Sequence, residues 1–289
     1  METVAFYSYK GGVGRSLLLA NAAQFLATLG KRVVALDFDF EAPGLHYKFS
    51  GVPRQDISGG AVPYLLATAT GAEAAPALKD HSLSLAVPFD GDGDLQLIPA
   101  GPAPSEKYWA ALKQLGERLL LNDPSGSGFM AVLDFQARIR DEMHPDYLLI
   151  DARTGVTELG GFATTILADT VVCLFAPNQE SLDGTLKIVE ALKVAPRLDG
   201  QKPVRIVPVL SRATNGAPDD EAFTTGVQRL LELSGRSKGK GKKDPAGLLT
   251  LPHDETFGKQ ERLVGRQRKA SALSPLYKAY LELFQELFP

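Results

Sequence analysis

Tyr9-Lys10-Gly11-Gly12-Val13-Gly14-Arg15-Ser16 is the most informative segment of the sequence, because it follows the strand-like residues 4–8 and opens the helical residues 16–29. The free N–H groups and the dipole at a helix N-terminus stabilise anionic oxygens, so a loop in this position can bind phosphate. Its glycines let the backbone curl until successive N–H groups point inward. The Ser16 hydroxyl is placed to ligate Mg²⁺ beside the β- and γ-phosphates of a nucleotide. The segment therefore predicts a phosphate-binding loop, and a glycine turn that only links strand to helix is the alternative.

On both sides of this loop, short β-rich runs alternate with longer helical runs, which is typical of a parallel sheet covered by helices. The predicted strands are residues 4–8, 32–37, 95–98, 147–151, 170–176 and 204–210, with an edge strand at 248–251. The predicted helices are residues 16–29, 106–121, 129–143, 181–194, 219–233 and 274–288. We therefore expect an α/β fold with a doubly wound, mainly parallel sheet flanked by helices, and a ligand at the carboxyl ends of the strands.

The composition is that of an ordinary globular protein. The chain has 289 residues, of which 44% are hydrophobic and 22% charged, and this excludes a wholly disordered protein. With 31 basic and 34 acidic residues the net charge is −3, so no global attraction to nucleic acid or to an anionic membrane is expected. The apolar residues 170–176 are too few to cross a bilayer, and the N-terminus lacks a cleavable leader pattern. The single Cys173 lies in that apolar run, so we expect a cytoplasmic protein with a buried thiol.

The domain organisation predicted from the sequence is simple. Neither an internal repeat nor a clean boundary is visible, so we predict that residues 1–289 form one domain. Residues 51–94 are rich in Gly, Ala, Pro and Asp, which indicates a poorly ordered or lid-like insertion. Residues 235–247 are rich in Gly and Lys, which predicts a flexible basic loop.

Acidic residues stand at the ends of two predicted strands. Asp37 and Asp39 are separated by one residue, so their side chains point the same way on an extended chain. Asp151 follows the apolar residues 147–150, which is the layout of a Walker B strand whose carboxylate holds Mg²⁺ through water. Because the carboxyl ends of parallel strands face the ligand crevice, we expect these carboxylates beside the bound phosphates. Solvated loop acids are the alternative interpretation of Asp37 and Asp39.

The phosphate loop resembles the deviant Walker A motif of ParA/MinD-type ATPases, the SIMIBI class of P-loop ATPases. Lys10 matches the signature lysine that precedes the glycine pair in that family. Tyr9 replaces the first glycine of the ordinary P-loop, and Arg15 replaces its lysine, which marks a variant branch whose loop reads KGGVGR. The resemblance implies ATP and Mg²⁺ as cofactors, and an ATP-sandwich homodimer in which Lys10 reaches the nucleotide of the partner subunit. The residues implied to cradle the phosphates are Gly11, Gly12, Gly14 and Arg15.

The same resemblance implies roles for residues beyond the loop. Asp37 would lie near the water shell of the Mg²⁺ held by Ser16 and Asp151, and Asp39 would orient the attacking water. The Gly155 amide would sense the γ-phosphate. The residues implied to hold the rest of the nucleotide are Val13, Leu17, Ser211, Arg212, Pro252 and Asp254. Arg153 has two open interpretations, a second guanidinium near the phosphates and a structural ion pair.

Arg15 bears most directly on the expected activity. Arginine is a wide planar fork and lysine a compact point charge, so Arg15 needs a rearranged slot. Loss of one charge-stabilising donor typically costs ~3 kcal/mol in the transition state, about 100-fold in rate, and a misplaced arginine should cost less. We therefore expect a slow ATPase that acts as a nucleotide-dependent dimerisation switch and controls a partner protein. The alternatives are a nucleotide-binding scaffold without turnover for an effector, an ATP-dependent DNA-binding positioning factor, and a metabolic ligase or kinase of the same fold.

Two C-terminal segments bear on further partners. Residues 235–269 carry 10 basic and 4 acidic side chains, which fits either a solvated loop with a charged helix or non-specific DNA binding through residues 236–269. The last helix is apolar on one face, but its polar face carries Glu282 and Glu286 with only Lys278 as a basic residue. A membrane-binding helix would be rich in Lys and Arg, so we expect this helix to pack on the protein or on a partner rather than on a membrane.

Overall fold

The computed structural model describes residues 1–49, 52, 57–70, 76–87, 91–118, 127–155, 157–214, 220–236, 247–255 and 274–289. Within these ranges the strands are β1 (Glu2–Ser8), β2 (Arg32–Phe38), β3 (Leu83–Leu85), β4 (Asp94–Ile98), β5 (Tyr147–Ala152), β6 (Thr170–Phe175), β7 (Arg205–Ala213) and β8 (Leu249–Pro252). The α-helices are α1 (Arg15–Thr28), α2 (Ala61–Ala69), α3 (Glu106–Arg118), α4 (Ser127–Arg138), α5 (Glu158–Phe162), α6 (Gln179–Val194), α7 (Glu221–Leu233) and α8 (Pro275–Leu287).

Within each unit the strands form a mainly parallel array with helices between them, which confirms the predicted α/β fold. Parallel pairing joins β2 to β4, β1 to β6, β6 to β7 and β7 to β8. The short β3 runs antiparallel to β4. Every strand that the sequence predicts is present, and β3 is an addition that the sequence analysis missed.

The chain divides into two compact units. The first comprises Met1–Thr3 and Ala23–Asp151, with the strand order β3-β4-β2-β5. The second comprises Val4–Ala22 and Ala152–Pro289, with the strand order β1-β6-β7-β8. The organisation of the chain as one domain stays a prediction from the sequence.

The first unit contains a helix and a strand within residues 51–94, where the sequence analysis predicted a poorly ordered or lid-like insertion. Within residues 51–94 the structure has α2 and β3, and α2 buries Val62, Tyr64 and Leu65. The Tyr64 ring packs against Phe135 of α4, with the ring centroids 4.9 Å apart. Pro63 lies in the first turn of α2, where a missing N–H breaks no helical hydrogen bond. The sequence analysis interpreted the alanine-rich composition as an insertion and missed this helix, whose apolar face is buried.

The second unit has its core around β6. All six residues of this strand are buried, and burial raises the pKa of the Cys173 thiol to about 12, which confirms the predicted buried thiol. Helix α8 buries Leu276, Tyr280, Leu283, Phe284 and Leu287, so its apolar face packs on the protein as the sequence predicts. In the described part of the chain, the helices are too short or too polar to cross a membrane. Most of the predicted basic loop, residues 237–246, lies outside the described residues.

Candidate functional site

The phosphate loop lies between β1 and α1, as the sequence predicts. Gly12 and Gly14 adopt left-handed backbone angles, with φ of 77° and 85°, which other residues adopt only with strain. A side chain added at Gly11 or Gly12 would meet no atom within 4 Å, so the loop has an open face there. The Leu18 N–H donates to the Gly14 carbonyl over 2.9 Å, so helical hydrogen bonding starts at the loop itself. The local geometry is that of a glycine loop at a helix N-terminus, which suits an anion.

The Arg15 side chain is buried, with 8% of its surface exposed. Burial raises the pKa of the Tyr7 phenol, and the nearby positive charge of Arg15 opposes that rise. Arg15 is thus buried in the second unit, near enough to Tyr7 for its charge to act on the phenol. The rearranged slot for the Arg15 fork and its contact with phosphate both stay predictions.

The remaining predicted residues at the loop are Lys10 and Ser16. Ser16 is half-buried in the first turn of α1. Lys10 is exposed, and its Nζ lies 2.5 Å from Oε1 of Glu180, at the start of α6. The hydrogen bond and the charge of Glu180 raise the pKa of Lys10.

A cleft with a cavity volume of about 70 Å³ opens in the second unit beside the phosphate loop. The residues that line this base-side cleft are Val13, Gly14, Leu17, Ser211, Arg212, Leu251, Pro252, His253, Asp254, Leu276 and Tyr280. All six residues that were expected to hold the rest of the nucleotide belong to this set. The structure thus brings the predicted residues together, and their contact with a nucleotide stays a prediction.

The end of β7 shapes one wall of the base-side cleft. The pairing of β7 with β8 shifts register between Leu210 and Ala213, and Arg212 has a left-handed φ of 58°. Ser211 lies at this irregularity, and its Oγ donates a hydrogen bond of 2.6 Å to the Val13 carbonyl. Ser211 therefore supports the phosphate loop from the cleft side, a role that the sequence analysis did not predict.

The lining of the base-side cleft also includes residues that the sequence analysis missed. Leu276 and Tyr280 come from α8, whose packing face was predicted but not its place at the cleft. The Asp254 carboxylate accepts a hydrogen bond of 3.1 Å from the Ser274 hydroxyl, which joins the loop after β8 to the start of α8. The apolar face of the last helix was the available signal, but a linear pattern does not say which loop that face meets.

Both backbone polar groups of Gly155 form hydrogen bonds with β1. Its N–H donates to the Ser8 carbonyl over 3.4 Å, and its carbonyl accepts a hydrogen bond of 3.0 Å from the Tyr7 hydroxyl. Its φ of 75° is left-handed, which explains a glycine at this position. Because the Gly155 N–H already has an acceptor, it must exchange that acceptor before it can bind a phosphate. Arg153 is half-buried, and both interpretations of it remain predictions.

In the first unit, Asp37, Asp39 and Asp151 are all buried, with 0%, 7% and 1% of their surfaces exposed. The Asp37 carboxylate accepts hydrogen bonds of 3.1–3.2 Å from the N–H groups of Asp39, Gly44 and Leu45. Burial, and then the negative charge of Asp151, raise the pKa of Asp37 to about 8. Their burial is the opposite of what solvated loop acids would show.

The carboxylates of Asp37 and Asp151 fit a divalent cation. Both are buried, and the charge of Asp151 disfavours ionised Asp37, so a nearby positive charge would relieve their repulsion. Among the described residues, no group of three or more His, Cys, Asp or Glu side chains is arranged to hold a metal. Mg²⁺ typically keeps several waters and binds through one or two carboxylates together with substrate phosphates.

The loop that carries Asp39 has a second support, which sequence reasoning missed. The hydroxyl of Tyr108, on α3, donates a hydrogen bond of 2.6 Å to the Phe40 carbonyl, and both groups are buried. Burial, followed by the charges of Asp37 and Asp39, raises the pKa of the Tyr108 phenol. This contact depends on tertiary packing, and no local pattern signals it.

Comparison with known proteins places these features in a family context. The profile of the CobQ/CobB/MinD/ParA nucleotide binding domain matches residues 4–249. A ParA family ATPase from Chlorobium tepidum TLS is 18% identical, with 99% of this chain and 98% of that chain covered and a TM-score of 0.60. MinD from Pyrococcus horikoshii OT3, complexed with Mg-ADP, is 17% identical, with 99% and 96% covered and a TM-score of 0.60. MinD in a MinC:MinD complex from Aquifex aeolicus is 18% identical, with 99% and 95% covered and a TM-score of 0.57. A search of the curated proteins finds no match.

Proposed function

Because this chain belongs to the CobQ/CobB/MinD/ParA nucleotide-binding family, we propose that it binds MgATP, hydrolyses it slowly, and dimerises in the ATP state to control a partner protein. The observation that carries the proposal is the cleft beside the glycine loop in the second unit, which gathers all six residues expected to hold the rest of the nucleotide. The Mg-ADP complex of the Pyrococcus horikoshii protein supports the choice of ligand. The MinC:MinD complex supports a protein partner.

Each site residue has a distinct role in this proposal. The backbone of residues 11–16 and the Arg15 charge hold the phosphates, and the Ser16 hydroxyl ligates Mg²⁺ with Asp37 and Asp151 at its water shell. Asp39 positions the attacking water. Lys10 acts in trans, on the nucleotide of the partner subunit. The base side of the nucleotide occupies the cleft, where Leu17 and Pro252 offer apolar surface and Arg212 and Asp254 offer polar groups.

Slow turnover follows from Arg15. Phosphoryl transfer needs preorganised positive charge on the γ-phosphate more than it needs a strong base. Arg15 is buried, and an arginine fork in place of the usual lysine must be accommodated before it can supply that charge. The same observation favours the second candidate, a nucleotide-binding scaffold that holds an effector and does not turn over.

The experiment is light scattering on the purified chain without nucleotide, with MgADP and with MgATP, combined with a phosphate-release assay. The expected result is a monomer of 31.0 kDa in the first two states and a dimer of about twice that mass with MgATP only. Lys10→Ala should stay monomeric, while Lys187→Ala, an exposed lysine on α6, should behave as wild type. A constant mass in all three states would exclude the switch, and dimerisation without phosphate release would favour the scaffold.

DNA binding through residues 236–269 and a cytoplasmic location stay predictions. Residues 237–246 and 256–269 lie outside the described residues, so the basic segment has no structural support here. DNA binding would appear as salt-sensitive, ATP-dependent retention of duplex DNA that is lost when Lys238, Lys240, Lys242 and Lys243 are neutralised.

A further inference from the structure

The signature lysine is bound within its own chain. Lys10 forms an ion pair of 2.5 Å with Glu180, although 46% of the lysine side chain and 73% of the glutamate side chain are exposed. The Lys10 ammonium also lies 5.7 Å from the centre of the Tyr9 ring. The charge that the proposed function assigns to the partner's nucleotide is therefore neutralised in cis.

The start of α6 holds Glu180 in a fixed place. Asn178 caps the helix, and its side chain accepts a hydrogen bond of 2.9 Å from the Ser181 N–H. The Ser181 hydroxyl accepts a second hydrogen bond, of 3.0 Å, from the Ala176 N–H. Glu180 lies between these two anchored residues, in the first turn, where the helix dipole stabilises a negative charge. The carboxylate is thus presented to Lys10 by a rigid helix end.

The neighbouring residue fixes the other side of the contact. Tyr9 packs against α6 at Gly184, where an added Cβ would lie 2.0 Å from the aromatic ring. Only a glycine leaves room for Tyr9 at this point of the helix. The beginning of the phosphate loop therefore docks on α6 through an aromatic contact and an ion pair, and α6 controls where Lys10 points.

We propose that Glu180 competes with the second subunit for Lys10. In the monomer Glu180 holds the lysine, and a second copy of this chain with MgATP must draw the ammonium away before the dimer can close. The inference rests on the proposed function, since it takes the trans role of Lys10 as given. It adds an internal threshold: dimerisation occurs only when the negative charge of the partner's nucleotide outcompetes an internal carboxylate.

The size of the threshold follows from the exposure of the pair. An exposed ion pair shifts an equilibrium by about 1.5- to 5-fold. A symmetric dimer releases two such pairs, so Glu180→Gln should tighten the MgATP-dependent dimer about 2- to 25-fold. Because salt screens exposed charges, the gain should shrink as ionic strength rises.

The test measures the dimer dissociation constant by sedimentation with Mg²⁺ and a non-hydrolysable ATP analogue, at about 0.05 M and 0.5 M NaCl. The variants are Glu180→Gln, Lys10→Ala and the double variant. Glu190→Gln is the matched control, since it removes another exposed ion pair of α6, with Arg229. We expect tighter, salt-dependent dimerisation for Glu180→Gln, wild-type behaviour for Glu190→Gln, and no effect of Glu180→Gln in the Lys10→Ala background.

The variants separate a failure of the Glu180 competition from a failure of the proposed function. If wild type dimerises and Glu180→Gln dimerises equally well or more weakly, the competition is overturned while the proposed function stands. If the gain persists in the Lys10→Ala background, Glu180 acts on some other group and the competition is likewise overturned. If neither wild type nor Glu180→Gln dimerises, both proposals fail together. A dimer formed only by Glu180→Gln would show a threshold higher than wild type can cross.

Discussion

The hydroxyl of Ser211 joins the wall of the base-side cleft to the phosphate loop. It donates to the Val13 carbonyl over 2.6 Å, and both residues are buried, with 4% and 3% of their surfaces exposed. A buried carbonyl that loses its donor bears a desolvation cost of about 1–3 kcal/mol. At this position the family resemblance predicts a contact to the base, whereas the hydroxyl serves the loop. Ser211 thus supports the backbone of the glycine loop.

We predict that Ser211→Ala binds ATP and ADP more weakly by a similar factor, about 5-fold or more, because the loop that holds their shared phosphates loses a support. Ser211→Thr should keep the affinity, since it retains the hydroxyl. Calorimetric titration of both nucleotides is the measurement, with Ser234→Ala as the control because the Ser234 hydroxyl bonds only within the end of α7. Unchanged affinities for Ser211→Ala would assign no role to the hydrogen bond.

At the level of elements, the loop that follows β2 is braced from inside and outside. From inside, the Asp37 carboxylate accepts backbone hydrogen bonds from Asp39, Gly44 and Leu45. From outside, α3 contributes the Tyr108 hydroxyl to the Phe40 carbonyl. The loop therefore presents Asp39 from a fixed backbone, and α3 is the element that fixes it.

Tyr108→Phe should lower turnover about 10-fold or more, because a small misplacement of a catalytic group costs a large factor in rate. Affinity for the nucleotide should change little, because Tyr108 is absent from the lining of the base-side cleft. Steady-state phosphate release and equilibrium binding of a fluorescent nucleotide separate the two effects. Tyr47→Phe is the control, since Tyr47 follows the same loop but is 43% exposed. Equal losses of turnover and affinity would contradict a role through Asp39.

Those helices, strands and loops that are marked by a short-range pattern of residues could be predicted from the sequence. The phosphate loop, the strand ends with Asp37 and Asp151, and the apolar strands all follow from short-range patterns. Helix α2 was missed because its alanine-rich sequence shows its burial only against α4. The supports given by Ser211 and Tyr108 join residues 198 and 68 positions apart, and no periodicity encodes such pairs.

For the molecule as a whole, the buried carboxylates should make the free energy of unfolding depend on pH. The pKa of Asp37 is about 8 in the folded protein, because of burial first and of the Asp151 charge second, and its usual value is 3.8. Between these values the folded state holds a proton that the unfolded state has lost. The free energy of unfolding is therefore highest at the acidic end of this window. It decreases as the pH rises toward about 8, because the unfolded state loses the proton of Asp37 first. Burial of Asp37 beside Asp151 thus lowers the stability of the ligand-free protein as the pH rises.

Asp151→Asn should weaken the pH dependence of the stability of the ligand-free protein. Removing the Asp151 charge lowers the pKa of Asp37 without removing its burial, so the loss of stability between pH 5 and pH 8 should be smaller than in wild type. The expected difference is about 1 kcal/mol or more, since one unit of pKa corresponds to about 1.4 kcal/mol. Thermal unfolding across this pH range, without nucleotide or Mg²⁺, is the measurement. Asp134→Asn removes an exposed carboxylate paired with Arg138 and should follow the wild-type curve. Parallel curves for wild type and Asp151→Asn would mean that the two buried carboxylates do not repel each other.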